Sequence, residues 1–78
     1  MNNLEKLTKV FAETFGIDEA QVAGLKYQAI EQWDSVGHMT LVAAIEDAFG
    51  IEMDTDDIID LSSFDKAKEI VAKYGIVL

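Results

Sequence analysis

The sequence predicts an all-α fold, a small bundle of three main helices plus one short helix, and three observations carry that prediction. Apolar residues recur at spacings of three and four in three separate stretches. Each of these stretches opens on an Asn, Asp or Ser able to cap a helix and closes on a glycine, at positions 16, 50 and 75. Half of the 78 residues are apolar and proline is absent, so a short chain has both the core material and the uninterrupted segments that a helical bundle needs.

The first helix is predicted from about Asn3 to Phe15, with Leu4, Leu7, Val10, Phe11 and Phe15 as its buried stripe. Asn2 followed by Glu5 offers a start resembling a capping box, and Gly16 a stop. From Gly16 to Trp33 the periodicity fades, apart from a single capped turn at Asp18–Val22. A connection of this length needs a function or apolar anchors, and Ile17, Val22, Leu25, Tyr27, Ile30 and Trp33 are the candidate anchors.

The second main helix begins at Asp34-Ser35, where either side-chain oxygen can accept a first-turn N–H, and runs to Gly50. Val36, Met39, Val42, Ala43, Ile45 and Phe49 are the expected stripe. Gly37 is expected to loosen its first turn. Ile51–Met53 reads as an extended link, and Asp54–Leu61 as a short acidic helix buried through Ile58, Ile59 and Leu61. Ser62 or Ser63 then caps a last helix presenting Phe64, Ala67, Ile70, Val71 and Tyr74 on one face, with Ile76–Leu78 as an apolar tail. No repeat or flexible linker divides the chain, so residues 1–78 are expected to form a single free-standing domain.

Charge is segregated along this sequence. From Glu31 to Asp65 there are ten acids and no lysine, while all six lysines lie outside that span, and the net charge is −9. Such a one-sign surface repels nucleic acid and anionic lipid and attracts basic protein partners, although it also serves plain solubility. The absence of cysteine removes disulfides, thiolate metal sites and any protein thiol that would hold a thioester. The N-terminus lacks a signal-peptide pattern and no apolar run reaches membrane-spanning length, which makes cytoplasm the expected location.

Enzymatic chemistry is poorly provided for by one histidine, no cysteine and no arginine. Ser35 and His38 are three apart on one helix, yet a working triad also needs an orienting acid and oxyanion donors. His38 is therefore expected to be a solvated first-turn residue whose replacement by Ala leaves chemistry at the serine largely intact. Calcium binding by the short acidic helix is disfavoured, since an EF-hand loop starting at Asp54 needs glycine at Ile59 and glutamate at Asp65. What remains is Ser35 itself. At a helix N-terminus, unpaired N–H groups and aligned dipoles favour a phosphate on the serine oxygen, whereas a simple Asp-Ser cap accounts for the pair equally well.

Asp34-Ser35-Val36, the helix ending Glu46-Asp47-Ala48-Phe49-Gly50-Ile51, and Ser63-Phe64 followed by Ala67 resemble the acyl carrier protein family over nearly the whole chain. The resemblance implies a 4′-phosphopantetheine group, taken from coenzyme A and attached to Ser35, with Asp34 and Val36 beside it. It also implies a non-catalytic carrier that holds acyl groups as thioesters for fatty-acid, polyketide or specialised acyl-transfer pathways. The expected partners are a phosphopantetheinyl transferase and acyltransferases, synthases or ligases with basic patches, meeting Glu46, Asp47, Asp54, Asp56, Asp57, Asp60 and Met39 of a monomer.

Gly37, His38 and Thr40 depart from the acidic pattern common at the start of the family's serine helix, which bears on pathway. Two further expectations follow. Trp33 either packs as a staple or lines a site for the arm, and Ala43-Ala44 either allow close helix packing or leave acyl room beside the acidic helix. A peptidyl or aminoacyl carrier, and an unmodified acidic adaptor binding a basic partner, remain the alternatives.

Overall fold

The computed structural model describes residues 2–78 and consists of α1 (Asn3–Phe15), a 3-10 turn (Glu19–Gln21), α2 (Ser35–Phe49), α3 (Thr55–Asp60) and α4 (Phe64–Lys73). No strand occurs among the described residues, only one isolated bridge between Lys26 and Ser63. The all-α bundle of three main helices and one short one is thus the observed architecture.

α1 starts where expected because the Asn2 side chain accepts the Glu5 N–H at 2.8 Å, which satisfies one of the donors a helix start leaves free. It ends at Gly16, whose φ of 65° is the left-handed conformation that glycine adopts without a Cβ clash. Leu7, Phe11, Ala12 and Phe15 are buried, but Leu4, expected in the stripe, is 41% exposed.

At the centre of the core lies a cluster of aromatic rings. Phe11 meets Phe15, Trp33 and Phe64 edge-on at centroid distances of 6.1, 5.6 and 5.1 Å, and Phe15 stacks on Trp33 at 5.3 Å. Such geometries place positive ring edges on negative faces and add about 0.5–1.5 kcal/mol per pair beyond burial. Trp33 is fully buried, as expected of a packing residue.

The long connection is anchored by Val22, Leu25 and Trp33, which are buried, with Ile17 and Ile30 packed partly against the core. Tyr27 is 37% exposed, with its ring edge-on to Trp33 at 6.1 Å. Backbone bonds from Tyr27 N–H to Ser62 C=O and from Phe64 N–H to Leu25 C=O, both 2.9 Å, tie this connection to the α3–α4 junction. Ser63, not Ser62, caps α4 by accepting the Lys66 N–H at 3.0 Å.

The buried face of α2 is displaced from the expected stripe. Leu41, Val42 and Ile45 are buried, whereas Val36 is 75% and Met39 52% exposed and Ala43 also faces out. Apolar residues occur on nearly every side of this helix, so spacing alone fits more than one face, and the partners on α1 decide between them. Ala44 lines, with Ala48, a groove against Lys6, Lys9, Val10, Glu13 and Thr14 of α1, while Ala43 is exposed.

α3 corrects a second expectation. Ile59 is 73% exposed and Asp57 only 4% exposed, so the short helix turns a carboxylate inward and an isoleucine outward. The reason is a partner: Asp57 Oδ1 receives Lys73 Nζ and Oδ2 receives the Tyr74 hydroxyl, each at 2.6 Å. A buried carboxylate with both oxygens satisfied is tolerated, while an unpaired one is not.

Candidate functional site

Ser35 is the first residue of α2 and its side chain is exposed. The cap is the residue before it: Asp34, in extended conformation, accepts the Gly37 N–H on Oδ1 at 2.8 Å, and its carbonyl accepts the His38 N–H at 2.8 Å. The N–H groups of Ser35 and Val36 therefore have no acceptor among the described residues. Two free donors flank an exposed hydroxyl at the positive end of a 15-residue helix, an arrangement suited to an anionic ester on that oxygen.

What sets this geometry is the close approach of the preceding loop. A Cβ built at Gly37 would collide with the backbone carbonyl oxygen of Gln32. Gly37 is thus needed for contact between the loop and the first turn, and does not simply loosen it. The loop is closed on itself by Gln28 N–H to Trp33 C=O at 3.1 Å and Trp33 N–H to Ile30 C=O at 3.2 Å, with Gln28 itself at a φ of 65°. Trp33 then plunges into the core and leaves Asp34-Ser35 at the surface.

His38 is not the solvated residue expected from its place in the first turn. Its ring is partly buried, receives the Trp33 indole N–H on Nδ1 at 3.0 Å and places Nε2 2.8 Å from the Ile58 carbonyl. Because the indole only donates and the carbonyl only accepts, the network assigns the neutral tautomer with the proton on Nε2. Both ring nitrogens are engaged away from Ser35. The imidazole links the start of α2, the loop and α3, and it is not poised as a base for the serine.

Beside His38 lies an open depression of about 300 Å³ lined by Tyr27, His38, Ile58, Ile59, Leu61 and Ser62. None of the expected partner residues lines this depression. Asp47, Asp54, Asp56 and Asp60 are exposed, and Met39 joins Val36 and Ile59 as exposed apolar side chains. Glu46 is half-buried and accepts the Met53 N–H at 2.8 Å. Asp57 is withdrawn from the surface by Lys73 and Tyr74, a role invisible in sequence because its partners lie 16 and 17 residues away. No metal-binding group of acids and histidines is present among the described residues.

The family profile described as the phosphopantetheine attachment site matches residues 5–71. The chain belongs to this family. As a member it is a carrier protein whose prosthetic group is covalently bound 4′-phosphopantetheine, in agreement with the acyl carrier resemblance read from Asp34-Ser35-Val36, and domains of this family are generally non-catalytic. No solved structure matches the chain.

The residues of this carrier fit the group. The described structure offers an exposed hydroxyl, two free N–H donors beside it, and a neighbouring carboxylate already turned toward Gly37. No helix among the described residues is long and apolar enough to cross a membrane.

Proposed function

We propose that Ser35 is the attachment residue and that the chain carries acyl groups on the arm it bears there. The observation that supports this reading most is the exposed Ser35 hydroxyl at the start of α2, between an Asp34 cap and the uncommitted N–H groups of Ser35 and Val36. Oγ becomes the ester oxygen, and the helix end offsets the negative charge of the phosphodiester. The prosthetic group supplies a thiol at the end of a long arm, the function that a chain without cysteine cannot supply itself.

Acyl cargo is favoured over peptidyl or aminoacyl cargo by the acidic surface and by Asp34 before the serine. Exposed Asp47, Asp54, Asp56 and Asp60 attract transferases and synthases with basic patches, while Val36, Met39 and Ile59 add exposed apolar surface. This reading takes residues 1–78 as one monomeric carrier domain working in the cytoplasm in fatty-acid, polyketide or a specialised acyl pathway.

The test is intact-protein mass spectrometry after incubation with coenzyme A and a broad-specificity phosphopantetheinyl transferase. One added phosphopantetheine on the wild type and none on Ser35→Ala is the expected result. A folded wild type that gains nothing would favour the unmodified adaptor. Aminoacyl loading of the modified protein in preference to acyl loading would favour the peptidyl carrier.

A further inference from the structure

We propose that His38 is a proton-sensitive pin that holds α3 against the start of α2 when neutral and releases it when protonated. The inference stands on the hydrogen bonds of the imidazole and is independent of which residue carries the arm.

Both ring nitrogens are committed, and each demands a different state. Trp33 Nε1–H has only a proton to offer, so Nδ1 must present its lone pair, and the Ile58 carbonyl has only lone pairs, so Nε2 must carry hydrogen. Protonation of Nδ1 sets two N–H donors against each other at a separation of 3.0 Å. The ring and the indole are also nearly parallel, 14° apart with centroids at 6.3 Å, while the Tyr27 ring stands edge-on to the imidazole at 5.5 Å. Trp33 is fully buried and fixed by Phe11 and Phe15, so it cannot turn its N–H away without disturbing the core. The imidazolium must move instead.

Nε2 keeps its hydrogen in either charge state, so the Ile58 carbonyl is drawn along with the displaced ring, and α3 with it, unless that bond breaks. Six residues long, α3 is otherwise held by Ile58 and the following Leu61 against the core, and at its other end by Asp57 on Lys73 and Tyr74 and by the Asp54 N–H donated to the Tyr74 hydroxyl at 2.8 Å. The walls of the depression lined by Tyr27, His38, Ile58 and Ile59 come from the loop, α2 and α3, so loss of the pin widens it.

Other charges around the ring are accounted for. Tyr27 is the sole titratable side chain besides His38 lining the depression, and no carboxylate lies within ion-pair distance of the imidazole among the described residues. On the packed elements, Asp34 is bound to the Gly37 N–H, Asp57 to Lys73 and Tyr74, and Asp56 and Asp60 are exposed on α3. The Lys73 and Tyr74 contacts hold the Asp57 carboxyl below its ordinary value, so the second attachment of α3 stays intact while His38 changes charge.

Trp33 is the only tryptophan and reports directly on the pin. Its emission, and hydrogen exchange of the α3 amides, are followed from about pH 8 to about pH 5, the range in which histidine changes charge, in wild type, His38→Asn and His38→Gln. In the wild type, Trp33 emission should fall along a single-proton titration and the α3 amides should exchange roughly five- to tenfold faster at the acid end, the scale of one lost hydrogen bond. Neither variant should titrate. Asn retains an acceptor for the indole and Gln a donor for the carbonyl, so fast α3 exchange at all pH is expected of Asn more than of Gln. Nitrogen NMR of His38 in the wild type near neutral pH supplies a check that needs no variant: hydrogen on Nε2 supports the pin, and hydrogen on Nδ1 overturns it. A folded wild type whose emission and α3 exchange are flat across the range would also overturn it, as would a His38→Asn titration matching the wild type.

Discussion

The carboxylate of Asp57 in α3 meets the ammonium of Lys73 at the end of α4 at 2.6 Å, and this pair, with Tyr74 on the other oxygen, fastens the most acidic stretch of the chain to one of its few lysines. The Lys73 hydrogen bond, and then that of Tyr74, hold the Asp57 carboxyl below its ordinary value of 3.8. Asp57 in turn holds the Lys73 ammonium above 10.5 and the Tyr74 hydroxyl above 10.0.

The sign of the pH dependence follows. A carboxylate whose folded value is depressed stabilises the fold fully above its unfolded value, and that contribution fades as pH falls through the folded value. A lysine and a tyrosine with raised folded values stabilise below their unfolded values and lose that contribution as pH rises through the folded ones. Melting followed by circular dichroism should show this contribution constant between about pH 4 and about pH 10 and declining on either side. Asp57→Asn should lower Tm at neutral pH and remove much of the acid and alkaline dependence. An unchanged profile would show that the contact does not hold α3.

Gly37→Ala is expected to destabilise the protein by about 1–3 kcal/mol, because the added methyl must displace the Gln32 carbonyl or the first turn of α2. Urea denaturation measures it directly. An effect near zero would mean that the loop yields freely. Asp34→Ala should cost about 1 kcal/mol through loss of the cap.

Exposure on α2 makes a paired prediction. Leu41→Ala should cost about 2–5 kcal/mol, since the side chain is fully buried, whereas Val36→Ala should stay within about 0.5 kcal/mol. Should Val36 prove the costlier of the two, the helix would be rotated from the face described.

Repulsion among the exposed acids of the middle segment should make Tm rise with added salt or divalent ions, because screening weakens like-charge contacts at the surface more than the part-buried, directly hydrogen-bonded Asp57 contact. A melting series at increasing ionic strength checks this, and a flat response would mean that the repulsion is already relieved by spacing.

Reading the residues in order locates all four helices and the carrier serine candidate, but it misjudges faces. At α1 a single apolar stripe bounded by Asn2 and Gly16 leaves one solution, and apart from the exposed Leu4 the stripe is where the spacing puts it. At α2 and α3 several apolar residues compete for one buried side, so spacing passes over Leu41, while Ile59, expected in the core, and Met39, expected both in the stripe and among the partner-facing residues, lie at the surface.

Local sequence by itself determined where α1, α2 and α4 begin and where α1 and α2 end, because caps and stopping glycines act within three or four residues: Asn2 on Glu5, Asp34 on Gly37, Ser63 on Lys66, with Gly16 and Gly50 as stops. It also determined the segregation of charge and the presence of Asp34-Ser35 at a helix start. Tertiary structure alone decided which side of α2 is buried, why Gly37 bears no side chain, that Asp57 serves α4 and not the surface, and that His38 bridges Trp33 and Ile58. Those relationships join groups that meet only after the chain has packed, and burial then obliges each donor and acceptor to find a partner wherever the fold has placed one.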